Sequence, residues 1–300
     1  MPTLSPLIFF GNERLATAVT TTAPTLRALI TAGYPIAAVV SHDEHSTSRK
    51  KRLLEIAEVA HAHNIPVLLP TKPADILEQL KSYRPAAAVL IAYGKIVPQN
   101  VIDVFPKGII NIHPSPLPEY RGPTPVEQAI LDGRIQTAVS LMQLEKAMDA
   151  GPVYAQRDVP ITPDISKQAL ATTLLETGAE LLIQNLPSIL DGRLQPTPQD
   201  ESRATYCNLL NKRAGKLDPS TKTAAQLERE IRAYLGYPKS RLTFNDNEVI
   251  VTTAHVVDSA TDQALVVNCA DNTLLAIDQL IAPSGKSMDA ASFIRGYSTR

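Results

Sequence analysis

Three side chains in the first half of the chain could do polar chemistry together: Asn111, His113 and Asp149. Asn111 and His113 close the run Gly108-Ile109-Ile110-Asn111-Ile112-His113. If that run is a strand, its period of two puts the amide and the imidazole on one face and turns Ile112 to the other. A hydrogen-bond donor and a ring able to give or take a proton then aim at one point. The next segment, Pro114-Ser115-Pro116-Leu117-Pro118, has three prolines in five residues, which restrict the backbone and preorganise the pair. Asp149 lies in Met148-Asp149-Ala150-Gly151, where small residues suit a tight loop approaching a ligand. Each group also has a plainer role: Asn111 and His113 as local hydrogen-bonding groups at a strand end, Asp149 as the acid of a surface turn. For Asn111 and His113, the pairing and the stiff loop favour a site.

The elements that must carry them are legible in the pattern. Apolar runs at Leu7 to Gly11, Ile36 to Val40, Ile65 to Leu69, Ala86 to Ile91, Gly108 to Ile112 and Ala138 to Met142 are continuous rather than alternating, as strands covered on both faces require. Helical patterns separate them at Thr25 to Ala32, Leu53 to His63, Ala74 to Tyr83 and Pro125 to Leu131. This alternation predicts an α/β fold, a doubly wound Rossmann-like sheet whose ligands sit beyond the carboxyl ends of the strands, where Asn111 and His113 stand. A long helix over Ser166 to Leu190 closes this domain, residues 1–190. Polar, Pro-rich text at residues 191–204 reads as a linker. Residues 205–300 then hold a helix at Thr223 to Tyr234 and short strands at Arg241 to Phe244, Val249 to Val257, Ala264 to Cys269 and Thr273 to Leu280, with a hairpin turn at Asn245-Asp246-Asn247. A small β-barrel, OB-like, with a leading helix is the expectation.

Composition bounds the rest. The chain has 300 residues, 44% hydrophobic and 20% charged, with 29 Lys and Arg against 30 Asp and Glu. Those values fit a soluble protein of two domains and exclude a disordered chain. A net charge of −1 argues against a basic coat over the whole surface. The longest apolar run, Ala86 to Tyr93, is too short for a membrane span, and Met1 to Ser5 lacks the features of a secretory signal. Cys207 and Cys269 form neither a disulfide framework nor a zinc pattern. A reduced, cytoplasmic protein without a metal is expected.

Several segments together resemble one family. Ala92-Tyr93-Gly94-Lys95-Ile96-Val97-Pro98, the run Gly108 to Gly122 with Asn111-Ile112-His113, Ser115-Pro116-Leu117-Pro118 and Arg121-Gly122, and Met148-Asp149-Ala150-Gly151 are similar to the folate-dependent formyltransferases, most of all to methionyl-tRNA formyltransferases. Thr205-Tyr206, Ala224 to Tyr234 and Pro283-Ser284-Gly285-Lys286 resemble that family's carboxy-terminal domain. The resemblance implies that Asn111, His113 and Asp149 are catalytic, and that a formyl group passes from 10-formyltetrahydrofolate to the α-amino group of methionyl initiator tRNA. It implies a folate site at Ser115, Pro116, Leu117 and Pro118 and around Ala92, Tyr93 and Gly94. It places a tRNA-contacting basic loop at Arg49, Lys50, Lys51 and Arg52, on a protein expected to be a monomer. The carbonyl chemistry is coherent, because an amide and an imidazole are the donors that stabilise an oxyanion.

The pattern also departs from that family. Gly11-Asn12-Glu13-Arg14-Leu15 stands where a Gly-Thr-Pro-type loop is usual, followed by an extra stretch at Thr20 to Pro24. From Tyr206 onward there are 11 Lys and Arg against 10 Asp and Glu, few for an RNA-gripping domain, although Lys212, Arg213, Lys216, Lys222, Arg229, Arg232, Lys239 and Arg241 crowd its first third. Two other readings therefore stay open: a formyltransferase acting on a sugar-nucleotide amine, and a non-catalytic folate- or tRNA-binding module.

Overall fold

The apolar runs assemble into a seven-stranded sheet in the computed structural model, which describes residues 5–42, 54–259 and 265–297. Its strands are β1 (Leu7–Gly11), β2 (Ile36–Val40), β3 (Val67–Leu68), β4 (Ala87–Ile91), β5 (Ile109–His113), β6 (Gln136–Gln143) and β7 (Val153–Pro160). Their order is β3-β2-β1-β4-β5-β6-β7. β1 to β5 pair in parallel, and β6 runs antiparallel to both β5 and β7. β7 has no counterpart among the apolar runs of the sequence. It is an edge strand with mostly half-buried residues, so Gln156, Arg157 and Asp158 interrupt the hydrophobic signal.

Helices cover both faces, which is why the central strands carry apolar residues without alternation. In chain order they are α1 (Pro24–Thr31), α2 (Glu55–Ala62), α3 (Leu77–Ser82), α4 (Gln99–Ile102), α5 (Pro125–Leu131) and α6 (Lys167–Leu190). Leu26 and Leu29 of α1, Ile56 and Val59 of α2, Val126 of α5 and Leu174 and Leu182 of α6 pack with Phe9, Val89, Ile110 and Ile112 on one face. Leu80 of α3 and Val101 of α4 pack with Ile8, Phe10, Leu90 and Ile109 on the other. The Ser166 hydroxyl caps α6 by accepting from the Ala169 N–H at 3.1 Å. Gly178 lets this helix reach the sheet, since a Cβ there would meet Ile112 Cγ2 at 2.7 Å. Ile112 is thus locked into the α6 face, and the pleat turns Asn111 and His113 away from it.

The second sheet is antiparallel and curled, preceded by α7 (Ala224–Ala233), as the small-barrel expectation requires. It comprises β8 (Ser240–Phe244), β9 (Asn247–Val257), β10 (Leu265–Asn268), β11 (Leu274–Ile281) and β12 (Ser287–Asp289), and α8 (Ala290–Tyr297) follows. β11 pairs with β9 on one side, and on the other with β10 and then β12. Asn245 and Asp246, both with positive φ, make the two-residue β8–β9 hairpin. Thr223 and Gln226 form a capping box on α7, whose Leu227 and Ile231 enter the core of this sheet.

The two halves are hydrogen-bonded together. Arg229 donates to the Leu131 carbonyl and Arg232 to the Ile165 carbonyl, both at 3.0 Å. The segment read as a linker is not a free tether, because Thr197 exchanges two backbone hydrogen bonds with Val153 at the edge of β7. Among the described residues no helix is long and apolar enough to cross a membrane. Arg49, Lys50, Lys51 and Arg52 lie outside the described residues.

The unusual first loop has a structural use for Glu13. Its fully buried carboxylate accepts from the Thr25 and Leu26 N–H groups, each at 2.9 Å, and so caps α1 from twelve residues upstream, where Ala23 has no side chain to do so. Burial nevertheless pushes this carboxyl from 4.5 up to about 7, against the pull of those hydrogen bonds. The native state then holds a proton that the unfolded chain releases above about pH 4.5, so the wild-type protein loses stability relative to Glu13→Gln as pH rises to about 7. The slope is at most about 1.4 kcal/mol per pH unit, and thermal unfolding of both proteins between pH 4 and 8 reads it. At the α6 contact, Gly178→Val should destabilise by about 1–3 kcal/mol through overpacking against Ile112, measured by urea unfolding.

Candidate active site

β5 ends beside the place where the chain doubles back across the sheet. Asn111 pairs with Leu90 on one side and Met142 on the other, and His113 pairs with Ser140. Both side chains are nearly buried. The Asn111 amide makes no hydrogen bond among the described residues. The His113 ring is held: Nε2 lies 3.0 Å from the Tyr120 carbonyl, and Nδ1 faces Asp149 Oδ1 at 3.8 Å. That second distance is beyond hydrogen-bond reach, so the carboxylate bears on the ring through charge and not through a direct hydrogen bond.

Asp149 comes from the β6–β7 connection. It adopts a left-handed backbone, φ 49°, which costs a non-glycine residue about 1–2 kcal/mol. Its other oxygen accepts from the Gly122 N–H at 2.8 Å. Such a conformation persists only where its surroundings hold it. Thus the three polar groups singled out in the sequence come from the end of one strand and the loop beyond its antiparallel neighbour.

The Pro-rich loop is rigid for more reasons than its prolines. Ser115 N–H donates to the His113 carbonyl and Leu117 N–H to the Ser115 carbonyl, both at 3.0 Å, while the Ser115 hydroxyl donates to the Glu119 carbonyl at 2.7 Å. From β6 the Ser140 hydroxyl donates to the Ser115 carbonyl at 2.6 Å, and from β7 the Gln156 amide donates to the Leu117 carbonyl at 2.6 Å. The Leu117-Pro118 bond is cis. Ser115 and Leu117 are buried, and Pro116 is half-buried.

Ala92 and Gly94, at φ 49° and 72°, bend the chain just past β4. Between them the Tyr93 side chain turns into the core, edge-on to Phe10 with ring centroids 5.3 Å apart. Burial pushes its hydroxyl up to about 12. Within this segment, therefore, the backbone of Ala92 and Gly94 is what can line a ligand, and the Tyr93 ring packs behind it.

Arg121 and the linker residues Gln199 and Glu201 border the site. Arg121 is 1% exposed, and every donor group of its guanidinium is engaged. Nη1 and Nη2 grip Glu201 at 2.9 and 2.7 Å, Nη1 also meets the Tyr206 hydroxyl at 3.1 Å, and Nε and Nη2 donate to Gln199 Oε1 at 3.1 and 2.8 Å. Glu201 is held below its usual carboxylate range by this contact. Arg121 N–H donates to the Thr205 carbonyl and Cys207 N–H to the Arg121 carbonyl. A Cβ on Gly122, φ 114°, would lie 2.3 Å from the Cys207 carbonyl, so only glycine admits this approach. The Arg-Gly pair and Thr205-Tyr206 were visible in the sequence, but Gln199 and Glu201 lay in text whose composition signalled only a linker. Among the described residues no group of three or more His, Cys, Asp or Glu comes together as a metal site needs.

Comparison with known proteins agrees with this geometry. A family model described as formyl transferase matches residues 14–186, and one described as formyl transferase, C-terminal domain, matches residues 210–298. The methionyl-tRNA formyltransferase of Sulfurihydrogenibium sp. (strain YO3AOP1) is 35% identical over 308 residues, covering 97% of this chain and 96% of its own. HypX from Aquifex aeolicus, solved in complex with tetrahydrofolic acid, has the same fold with a TM-score of 0.67 at 17% identity. That match covers 97% of this chain and 47% of HypX, so this chain spans about half the length of HypX. An N-formyltransferase from Helicobacter canadensis, solved with folinic acid and dTDP-3-aminofucose, matches with a TM-score of 0.68 at 16% identity, covering 91% of this chain and 98% of its own.

Proposed function

The chain belongs to the methionyl-tRNA formyltransferase family, and from that premise we propose that it transfers a formyl group from 10-formyltetrahydrofolate to the α-amino group of methionyl initiator tRNA, in translation initiation. The observation that carries the reading is that Asn111, whose amide makes no hydrogen bond among the described residues, shares a strand face with a buried His113 whose ring lies 3.8 Å from the Asp149 carboxylate. The bound folate supplies the formyl group. Ser115, Pro116, Leu117 and Pro118, with the backbone of Ala92 and Gly94, are the residues to hold it, and their fit rests on the fixed loop and the left-handed turns.

This chain's own groups then do the following. The Asn111 amide donates to the formyl oxygen as charge gathers there during attack by the amine, a contact of the kind worth roughly 3–4 kcal/mol. With His113 Nε2 held by the Tyr120 carbonyl, Nδ1 is the nitrogen left to act, and it donates when the ring carries both protons. Asp149 Oδ1, beside that ring, can hold its charged form or accept the proton that the amine must lose. As the amine–carbon bond forms, the bond from the formyl carbon to the folate nitrogen breaks, that nitrogen taking a proton in place of the formyl group. No covalent bond to the protein is required.

In this reading residues 1–190 carry the chemistry, 191–204 join the domains and 205–300 help to grip the tRNA, with Arg49, Lys50, Lys51 and Arg52 at its acceptor end, in a cytoplasmic monomer. The fold sorts the crowded cations of the second domain. Lys222 pairs with Glu230, Arg232 with Glu228, and Arg229 reaches a backbone carbonyl. Lys212, Arg213, Lys216 and Lys239 stay exposed without an ion pair among the described residues. Lys212 and Arg213 lie between Asn211 and Ala214, which line a groove of about 380 Å³ with exposed Tyr206 and Leu209 on its wall. Free cations beside exposed aromatic and apolar groups suit a nucleic acid more than a sugar nucleotide.

His113→Ala and Asn111→Ala should each fold normally and lower formyl transfer by about 10²-fold or more, read by steady-state kinetics beside thermal unfolding. Supplied with 10-formyltetrahydrofolate, the enzyme should formylate charged initiator tRNA and leave amino-sugar nucleotides untouched. Transfer to the sugar alone would reverse the assignment. Binding of the tRNA should also weaken steeply between 50 and 200 mM salt.

A further inference from the structure

The hydrogen bonds of the linker end on the backbone of a residue to which the reaction is assigned. Gln199 turns its amide nitrogen to two carbonyls of the β6–β7 connection, Asp149 O at 2.8 Å and Gly151 O at 2.7 Å. Its amide oxygen accepts from Arg121 Nε and Nη2 at 3.1 and 2.8 Å. One linker side chain therefore bridges the two loops that meet at His113. The loop holding Arg121 supplies the Tyr120 carbonyl to His113 Nε2, and the loop holding Asp149 supplies the carboxylate facing Nδ1.

Geometry makes this bridge directional. The fully engaged Arg121 guanidinium orients the Gln199 amide, because it can present only N–H groups and so selects the oxygen end. The nitrogen end is left to face the two carbonyls flanking Asp149. Asp149 is the residue held at φ 49°, and Gly151 is so closed in that a Cβ would lie 1.9 Å from the Gln143 carbonyl. The carboxylate itself accepts from the Gly122 N–H, which belongs to the same Arg121-bearing loop. Among the described residues, Gln199 supplies the side-chain hydrogen bonds that tie the backbone at Asp149 and Gly151 to that loop.

We propose that Gln199 is a positioning residue for formyl transfer: it sets the Asp149 carboxylate against His113 from the interdomain linker, so that the linker is part of the active site. The inference rests on the formyltransferase reading given above. It concerns the chemical step and not substrate capture, since Gln199 acts through Asp149 and touches no proposed ligand-binding residue.

The test uses the full-length protein with charged initiator tRNA and 10-formyltetrahydrofolate. Gln199→Glu keeps an oxygen toward Arg121 but replaces both donors to Asp149 and Gly151 by an acceptor, and Gln199→Leu removes both ends. Each should lower kcat by about 10–100-fold, the size expected of a misplaced catalytic group, with KM for both substrates within twofold and the melting temperature within a few degrees. Arg193→Gln, at an exposed position of the same linker whose guanidinium pairs with Asp191, should keep kcat within threefold. An unchanged kcat in both Gln199 variants would overturn the proposal. So would a loss confined to KM, which marks a docking role, or a fall in kcat that tracks a fall in melting temperature across the two variants. Absence of any formyl transfer by the wild-type protein would instead strike the underlying reading of the site.

Discussion

Arg121 carries a charge at 1% exposure, and a buried charge persists only where partners meet its donors. Most of what distinguishes this fold from a plain doubly wound sheet can be traced to that requirement. The partners are Glu201, Gln199 and Tyr206, all from chain that follows the last helix of the first sheet, so the chain must return across the strand ends to supply them. Once it does, Thr205 and Cys207 pair with the backbone on either side of Arg121, and Gly122 must lack a side chain for them to approach. The Tyr120 carbonyl that holds His113 sits one residue before the guanidinium, and the N–H that holds Asp149 sits one residue after it. Neutralising one cation and holding the His113 and Asp149 side chains in place are the same structural event.

The other organising constraint is the pleat of β5. Ile112 is caught under α6 at Gly178, which leaves Asn111 and His113 no choice of face. Packing on one side of the sheet thereby sets the register of polar groups on the other, and a slip of one residue would bury the amide and imidazole under a helix. Ser140 and Gln156, from the two antiparallel strands, then pin the loop that β5 runs into. The parallel half of the sheet supplies the strand end, and the antiparallel half supplies its braces.

What could be read from the sequence follows from how local each signal is. The central strands, α1, α5, α6, α7 and the Asn245-Asp246 turn are written in runs of apolar residues, helix caps and turn residues, and each appears where the pattern puts it. β7 escaped because an edge strand needs no continuous apolar run. Asn111, His113 and Asp149 stood out by residue type, yet their meeting at one place depends on a fold-level return that no local pattern encodes. Tyr93 shows the converse: its neighbours turn as a binding loop does, while the ring itself belongs to the core. Gln199, in a stretch whose composition says only that it is polar and rich in proline, carries no local mark of its two-ended bond. Glu13 interrupts an expected loop motif, and only the distant N-terminus of α1 explains it.

The distance along the chain between Arg121 and its partners has a consequence for biosynthesis. Gln199 and Tyr206 lie 78 and 85 residues downstream of it. At a synthesis rate of roughly 5–20 residues per second, they emerge several seconds after β5 has left the ribosome. During that interval the nascent sheet holds a guanidinium without its carboxylate and a histidine without its fixed neighbours. The surroundings of His113 and Asp149 are therefore among the last parts around the first sheet to become complete, and a nascent chain stopped short of Gln199 is left with the loops at Arg121 and Asp149 unbraced.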